Sequence, residues 1–455
     1  MPVAAIIEER LSQQNSVFGI SEAVASDGHF GDVKTTIFQD QHGKLQALYS
    51  GDSILDVEAL CRLTQRQLSV VSPAAIGSIC DQLTLERLTT IPTVLGLELI
   101  VDQRLLDTTE LTLDSGSKHY VITINNEQFR NLIGDAQTGT YTVLESELVT
   151  SSLEGINDVN QITMAIANFT QLRIKQRLQD TVEFPPMPET AQRILKLRIN
   201  PDANIQDLTD IVESDPPLAA QVVSWAASPY YAAPGEIKSV HDAIVRVLGF
   251  DLVLNLALGL ALGKTLSLPK DSAQGFTPYW EQAIYTATAI EALVGAIPAR
   301  DRPNMGIAYL SGLLHNFGYL ILAEVFPPYF SNICRYQEAN PYSNHCHIER
   351  HLLGVDRDQL GSWLMRLWDM PEEVSSALRF QNDVEFDQQH GAYANLLFIA
   401  KRLLRKHGMG DAPLVDIPAG LYARLQLDPE RAEDAIITML ESAEELEIMV
   451  SNFAA

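Results

Sequence analysis

The sequence predicts a chain of several domains, in which an α+β domain is followed by an all-α domain. A length of 455 residues exceeds what one hydrophobic core usually serves. The first part mixes strand-like alternation with helical patterns, whereas the later part repeats apolar residues at helical spacing between Pro and Gly breakers. We expect an α+β domain at 1–140, a linker and connecting helix at 141–180, a helical domain at 181–385, and a packed helical extension at 386–455.

Two strands joined by a tight turn are predicted near the start of the α+β domain. KTTIFQD (34–40) and KLQALYS (44–50) carry β-like apolar patterns and are separated by QHG, with Gly43 in the turn. Further strands are predicted for GLELIVD (96–102) and KHYVITI (118–124). We therefore expect a mixed sheet built around a hairpin.

A helix is predicted between these strand pairs, in SILDVEALCRLT (53–64). Its apolar residues recur at helical spacing, and Asp52 or Ser53 is the expected amino-terminal cap. A longer helical pattern from about 158 to 180 is expected to connect the two domains.

The helical domain is predicted to begin after the breaker EFPPMP (183–188). SDPPLAAQVVSWAAS has Ser214 or Asp215 as its cap and prolines in the first turn, where a missing N–H does no harm. SVHDAIVRVLG is expected to start at Ser239 and to stop at Gly249. Further helices are predicted around 278–297, 305–324, 344–353, 356–368, 371–380, 391–407 and 431–449.

The composition and the net charge of the chain argue against several classes of function. The net charge of -26 opposes non-specific attraction to nucleic-acid phosphates or anionic lipid. The start, MPVAAIIEERLSQQ, does not have the pattern of a signal peptide, and the most apolar stretch (247–263) is too short to span a bilayer. Four cysteines form no C-x-x-C pair and are expected to be reduced. We expect a cytoplasmic protein that does not enter a membrane.

Five stretches in a fixed order carry a family resemblance in the helical part. EFPPMPETAQRIL, VESDPPLAAQVVSWAASPYY, SVHDAIVRVLGF, GLLHNFG and LLGVDRDQLGSWLMRLWDMPEEVSSAL closely resemble the HD-output (HDOD) domain, over roughly residues 170–385. The resemblance implies a helical relative of the HD metal-dependent phosphohydrolases, in a family with many regulatory members.

Alignment with the active relatives implies that the metal ligands have been lost. His315 matches the His of the His-Asp doublet, but Asn316 stands at its Asp, and an amide oxygen is a weak neutral ligand. Gln282 and Arg357 stand where further histidines would be, and Gln381 or Asn382 at a later one. One imidazole cannot hold a cation, so we expect no metal and no other cofactor.

Two uses remain open for these polar residues. His315 can simply be a buried, hydrogen-bonded histidine on a packed helix. Alternatively, a groove lined by Gln282, His315, Asn316 and Arg357 can bind an anionic or nucleotide-like ligand. A second histidine cluster, NHCHIERHLL (344–353), lacks an H-E-x-x-H pattern, and we interpret it as the exposed, polar start of a helix.

The first 140 residues resemble, more faintly, the YbaK-like domain associated with prolyl-tRNA synthetases. GDVKTTIFQDQHGKLQALYSGDSILDVEAL, GLELIVDQRLLD and LDSGSKHYVITINNEQFRNLI carry this likeness. It implies hydrolysis of mischarged aminoacyl-tRNA, with Lys34 at the position of the family's key lysine. The region 83–98 lacks the Gly/Pro-rich loop from which such domains take their oxyanion donors. The alternative for Lys34 is an ordinary surface lysine at a strand end.

The resemblances together favour a signal transduction or regulatory protein with a non-catalytic HDOD domain and a degenerate YbaK-like domain. A protein of a signalling pathway is the expected partner. The second hypothesis is an aminoacyl-tRNA deacylase acting through Lys34, with tRNA as partner. A metal-dependent phosphohydrolase is the third hypothesis, and the ligand substitutions make it the weakest.

Overall fold

A computed structural model describes residues 7, 18–22, 25–26, 29–148, 158–175, 186–232, 235–269, 272–274, 276–413 and 415–454. The amino-terminal stretch in which no leader is expected lies outside these residues, apart from residue 7. The same holds for residues 176–180 of the predicted connecting helix and for residues 183–185 of the predicted breaker.

The amino-terminal domain is built from short strands and three α-helices within the described ranges. The strands are β1 (Gly19–Glu22), β2 (Ala25–Ser26), β3 (His29–Phe30), β4 (Val33–Asp40), β5 (Gly43–Ser50), β6 (Ser53–Leu55), β7 (Ser69–Val70), β8 (Glu98–Asp102), β9 (Glu110–Asp114), β10 (Tyr120–Asn125), β11 (Gln137–Gly139) and β12 (Thr142–Leu144). The helices are α1 (Val57–Thr64), α2 (Pro73–Leu83) and α3 (Asn126–Ile133).

A five-stranded mixed sheet forms the centre of this domain, in the order β11-β8-β5-β4-β7. β5 runs parallel to β8 and antiparallel to β4, and a three-stranded antiparallel sheet has the order β1-β10-β9. The predicted hairpin is confirmed, because β4 and β5 pair in register from Val33 with Ser50 to Asp40 with Gly43. Gly43 has a φ of 128°, a conformation that favours glycine.

The predicted helix at 53–64 is wrong in its first turn. Ser53–Leu55 forms β6 and pairs with β12, so the backbone of these residues is engaged in a strand ladder. The helix α1 begins only after Asp56, whose carboxylate accepts a hydrogen bond from the Ala59 amide at 2.8 Å. The same pairing corrects the predicted boundary at residue 140, since residues 142–144 belong to the sheet domain rather than to the linker.

The rest of the described chain is helical. Its α-helices are α4 (Asp158–Lys175), α5 (Glu189–Arg198), α6 (Ile205–Glu213), α7 (Pro216–Ala226), α8 (Val240–Asp242, continued by a π-helix, Ala243–Leu248), α9 (Phe250–Gly263), α10 (Tyr279–Ala296), α11 (Met305–Leu314), α12 (Phe317–Val325), α13 (Pro327–Ala339), α14 (His345–Leu353), α15 (Arg357–Leu367), α16 (Glu372–Phe380), α17 (Gly391–Lys406), α18 (Ala419–Arg424), α19 (Pro429–Leu440) and α20 (Ala443–Ala454).

Helix starts follow the capping signals of the sequence. Asp215, one of the two predicted caps, accepts a hydrogen bond from the Leu218 amide at 3.1 Å, and Pro216 occupies the first turn. Ser239 caps α8 through the Asp242 amide at 3.0 Å. The predicted fold class, an α+β domain followed by an all-α domain, is confirmed.

One apolar core holds the helical domain together and extends into the last helices. Leu396 on α17 and Ile436 on α19 are fully buried in the same cluster as residues of α9 to α12. Met305–Val325 is long and apolar enough to cross a membrane by composition, but 89% of its most apolar window is buried inside the protein. A break between α11 and α12 also divides it. This segment is a core element of the helical domain.

A separate apolar cluster joins the two domains. Phe38 and Tyr49 from the central sheet are buried with Tyr336, Ala339 and Ile348 from α13 and α14. The face of the hairpin β4–β5 is therefore covered by the α13–α14 pair.

Candidate functional site

The four residues predicted for a ligand groove meet at the ends of neighbouring helices. Gln282 lies in the first turns of α10, His315 and Asn316 lie between α11 and α12, and Arg357 begins α15. All four line a cavity of about 40 Å³, which we name the polar cavity. Three of them, without His315, also line an adjoining cavity of about 210 Å³. The structure thus brings together residues that are up to 75 positions apart in sequence.

A glycine allows α12 and α15 to approach closely at this point. A Cβ atom added to Gly318 would lie 1.8 Å from the backbone oxygen of Arg357. No side chain fits there, because backbone atoms cannot move aside as a flexible side chain can. The close contact places Arg357 next to Asn316, two residues before the glycine.

His315 is held as a buried neutral histidine. Its side chain is 5% exposed, and Nδ1 donates a hydrogen bond to the Gly312 carbonyl oxygen at 2.7 Å. Burial, together with the nearby charge of Lys401, lowers the pKa of His315 to about 3. This arrangement corresponds to the structural alternative for His315, a packed and hydrogen-bonded histidine.

The low pKa of His315 predicts a dependence of stability on pH. The unfolded chain binds a proton near the ordinary histidine pKa of about 6.5, whereas the folded protein does so only near 3, so stability falls as the pH drops through this window. Between pH 7 and pH 5, this group alone is expected to remove about 2 kcal/mol from the free energy of unfolding.

Urea denaturation of the wild type and of His315→Asn at pH 7 and pH 5 measures this contribution. Between pH 7 and pH 5, the free energy of unfolding of the asparagine variant should fall by about 2 kcal/mol less than that of the wild type. The exposed His241 provides a control, and His241→Asn should behave as the wild type does. Equal losses in all three proteins would contradict a neutral, buried His315.

Arg357 bonds protein groups through its backbone and through two of its three guanidinium nitrogens. Its Nε donates to Glu349 Oε1 at 2.6 Å, its backbone N–H donates to Glu349 Oε2 at 2.8 Å, and its Nη1 donates to Asn316 Oδ1 at 3.0 Å. Burial raises the pKa of Glu349 to about 7, and the charge of Arg357 opposes that rise. The guanidinium therefore takes the one oxygen that Asn316 could offer to a metal.

A lysine that the sequence analysis did not single out lies at the centre of the polar cavity. Lys401 on α17 donates from Nζ to Gln381 Oε1 at 2.8 Å and to Asn382 Oδ1 at 3.3 Å. The amide nitrogens of Gln381 and Asn382 in turn donate to Asp358 at 2.9 and 2.8 Å. Burial lowers the pKa of Lys401 to about 8, and the negative charge of Asp358 opposes this shift. An internal ammonium thus neutralises the buried carboxylate.

These contacts test whether the residues fit the divalent metal that the family resemblance suggests. The oxygens of Asn316, Gln381 and Asn382 accept hydrogen bonds from Arg357 and Lys401, so cationic donors occupy them. The residues do not fit a metal, because a bound cation would have to displace two positive side chains.

One group of potential metal ligands occurs among the described residues, formed by Cys346, Asp356 and Asp358. Asp356 caps α15 and forms an ion pair with Arg350, and burial raises the pKa of the Cys346 thiol well above its usual value. Both carboxylates are therefore already held by protein groups, since Asp358 accepts hydrogen bonds from Gln381 and Asn382.

The adjoining cavity of about 210 Å³ has the rings of Phe276, Tyr279, Tyr319 and His345 in its walls, and we name it the aromatic cavity. Asp411 reaches it from the loop that follows α17, and its carboxylate accepts hydrogen bonds from the Thr277 amide at 3.0 Å and from Gln282. Burial raises the pKa of Asp411 to about 6. Phe276, Tyr279, Tyr319, Gln337, His345 and Asp411 are among the residues that line the cavity.

Lys34, the candidate catalytic residue of the amino-terminal domain, is buried between the two domains. Its side chain is 2% exposed, which contradicts the alternative of an ordinary surface lysine. Nζ lies 3.2 Å from Glu145 Oε1 and donates to Ser343 Oγ of the helical domain at 3.3 Å and to the Ser53 carbonyl oxygen at 3.4 Å. The site that resembles a deacylase centre is covered by the turn between α13 and α14.

The second histidine cluster does begin a helix, at His345, but its interpretation as exposed is wrong, because His347 and His351 lie in this interface. His347 contacts Glu145 at 3.3 Å, and His351 contacts Asp56 at 3.4 Å. Burial opposes ionisation of Glu145, but His347 and Lys34 together lower its pKa to about 2. The histidines face acidic side chains of the other domain, and this pairing explains why polar residues occupy a buried helix face.

Asn340 makes the most specific contact between the domains. Its Oδ1 accepts a hydrogen bond from the Leu55 amide at 2.6 Å, and its Nδ2 donates to the Leu55 carbonyl oxygen at 3.0 Å. Thr36, two residues after Lys34, donates to the Ala339 carbonyl oxygen at 2.8 Å. The α13–α14 turn therefore completes the edge of β6 and covers the β4 face.

Comparisons with known proteins bear on the helical domain and on the whole chain. The HDOD domain family matches residues 184–384. A candidate signal transduction protein from Marinobacter aquaeolei VT8, of known crystal structure, is 38% identical, with 99% of each chain covered and a TM-score of 0.89. An uncharacterized protein of Treponema pallidum (strain Nichols) is 22% identical over 275 residues. That match includes 60% of this chain but only 52% of the curated relative, so the chain spans about half the length of that protein.

A weaker likeness covers about a third of the chain. A candidate trans-editing enzyme for prolyl tRNA synthetase is 19% identical, over 31% of this chain and 98% of that chain, with a TM-score of 0.27. This likeness is too distant to carry an activity. The whole-length similarity to the Marinobacter protein and the match over residues 184–384 are decisive: the chain belongs to the HDOD domain family.

Proposed function

We propose that this protein is a cytoplasmic signal transduction protein whose HDOD domain is regulatory rather than catalytic. The observation that carries the proposal is the position of Lys401, whose ammonium binds the amide oxygens of Gln381 and Asn382 beside the buried Asp358. A protein cation there supplies the positive charge that a metal would otherwise bring. The 38% identical Marinobacter protein, a candidate signal transduction protein, supports the same class of function.

The amino-terminal domain takes part in this proposal as a docking module. Lys34 is bonded to Glu145 and Ser343, and it is closed off from solvent by the helical domain. Deacylation needs a lysine that can reach the end of a tRNA, so the hypothesis of an active deacylase is disfavoured in this arrangement. A protein of a signalling pathway is the proposed partner, and the ligand groove at Gln282, His315, Asn316 and Arg357 is the proposed input site.

The experiment combines metal analysis with activity assays on the full chain. We expect substoichiometric manganese, iron and zinc after incubation with each ion, and no hydrolysis of bis-p-nitrophenyl phosphate. A deacylation panel of mischarged tRNAs should give the same rates for the wild type and for Lys34→Ala. Stoichiometric metal together with hydrolysis that Asp358→Ala abolishes would overturn the proposal, as would deacylation that Lys34→Ala abolishes.

A further inference from the structure

The aromatic cavity contains polar groups without a hydrogen-bond partner. The hydroxyl of Tyr279 on α10 and the side-chain nitrogen of Gln337 on α13 are buried, and neither has a partner in the protein. Tyr279 is 7% exposed and Gln337 is 1% exposed, and both line the cavity. Buried polar groups in folded proteins are nearly always satisfied, so two such groups in one cavity indicate a molecule that binds them.

The size of the cavity limits the molecule to a small one. Its volume is about 210 Å³, whereas an engineered cavity of about 150 Å³ in another protein holds one benzene molecule. Cavities that bury larger ligands usually measure about 300 Å³ or more. One substituted or fused ring therefore fits, and a whole nucleotide does not.

The charges around the cavity are balanced. The charged residues that line the cavity are Arg357, which is positive, and Asp411, which is negative. Among the lining residues, therefore, no surplus positive charge remains to hold an anion. His345 adds no charge, because burial lowers its pKa well below the usual value. Of the two ligand classes considered for this groove, the charge balance disfavours the anionic one.

The residues in the walls of the cavity favour a flat molecule that has both hydrogen-bond acceptors and hydrogen-bond donors. The rings of Phe276 and His345 lie 5.0 Å apart, and Tyr319 contributes a third ring whose centre lies 4.8 Å from the Arg357 guanidinium carbon. Aromatic walls suit a planar ring that can stack on them. The unpartnered Gln337 nitrogen donates hydrogen bonds, and the Tyr279 hydroxyl can donate one, so both groups suit carbonyl oxygens of a ligand. The Asp411 carboxylate, in contrast, accepts hydrogen bonds from ring N–H groups.

We propose that the aromatic cavity binds a small, neutral, planar heterocycle that carries carbonyl oxygens and N–H groups, the chemical class of a free nucleobase. Tyr279 and Gln337 bind the carbonyl oxygens, and Asp411 accepts a hydrogen bond from the ring. This inference rests on the proposed regulatory function, since the aromatic cavity shares Gln282, Asn316 and Arg357 with the proposed input site and the inference names its ligand class. Gln337 lies two residues before Ala339, which contacts Thr36 of the other domain, so the ligand site and the domain interface share one helix.

Isothermal titration of the full chain with hypoxanthine and with uracil tests the proposal. We expect saturable binding of one base per chain, weakened about tenfold by Tyr279→Phe and by Gln337→Met, which is the effect of losing one hydrogen bond of about 1.4 kcal/mol. Both variants remove groups that have no partner in the protein, so both should fold as the wild type does. Tyr285→Phe on the same helix is the matched control, because the Tyr285 hydroxyl bonds the Ala443 carbonyl oxygen at 3.4 Å outside the cavity.

Two results would overturn the inference. The first is the absence of saturable binding for both bases, whether or not benzoate or guanosine monophosphate binds. The second is binding that Tyr279→Phe and Gln337→Met leave unchanged. Each of these would leave the regulatory function intact, because that function is tested separately by metal content and by hydrolysis.

Discussion

Replacing Lys401 with methionine is expected to lower the free energy of unfolding by about 3 kcal/mol, because two buried hydrogen bonds from its ammonium are lost. Methionine keeps most of the volume of the lysine but removes its charge. The buried carboxylate of Asp358, a residue that is 5% exposed, then loses the stabilising positive charge of the Lys401 ammonium. The oxygens of Gln381 and Asn382 also lose their donor.

A double-mutant cycle with Asp358→Asn separates the charge effect from packing. Lys401→Met should cost much less in the Asp358→Asn background, with a coupling of more than about 1 kcal/mol. Lys406→Met is the matched control, because Lys406 lies on the same helix, 63% exposed, and its pair with Glu433 is expected to contribute less than about 0.5 kcal/mol. Urea denaturation at pH 7 measures all five proteins, which are the wild type, the three variants of the cycle and the control. If Lys401→Met and Lys406→Met have equal effects, the internal ammonium is not a structural cation.

Replacing Asn340 with alanine is expected to cost about 3 kcal/mol and to loosen the contact between the two domains. The amide of Asn340 satisfies both the N–H and the carbonyl oxygen of Leu55, at 2.6 and 3.0 Å, and its side chain is 1% exposed. Alanine leaves both backbone groups buried without a partner, and each such group costs about 1 to 3 kcal/mol.

Hydrogen exchange of the Leu55 amide, followed with urea denaturation, measures this effect. The amide should exchange much faster in Asn340→Ala than in the wild type. Asn332→Ala is the control, because Asn332 also crosses the domain interface, but through an exposed contact with Glu58 at 3.4 Å. Unchanged protection of Leu55 in Asn340→Ala would show that the two domains do not depend on this residue for their contact.

The main elements of the fold could be predicted because their signals are local. The β4–β5 hairpin follows from alternating residues and Gly43, and α7 follows from the Asp215 cap with prolines behind it. The first turn predicted at 53–64 could not be identified as a strand, because β6 exists only through its pairing with residues 142–144. Periodicity within a window carries no information about a partner that is distant in sequence.

The residues of the candidate site could also be predicted only in part from the sequence. The family resemblance placed Gln282, His315, Asn316 and Arg357 together, and the structure gathers all four around the polar cavity. Lys401 and Asp411 were not singled out, because each comes from the region after residue 385 and has no motif of its own. A lysine on the apolar helix 391–407 was the one available signal, since a charge among core positions needs a partner.

By itself, the sequence determined the order of the two domains, the HDOD family and the loss of the metal-ligand pattern at Asn316, because residue types and local spacing are sufficient for each of these. Only the tertiary structure decided that Lys34 lies under the α13–α14 turn and that the Lys401 ammonium bonds the amide oxygens of Gln381 and Asn382. Burial and charge pairing depend on contacts between different segments of the chain, and their energies appear only when the folded chain removes both partners from water.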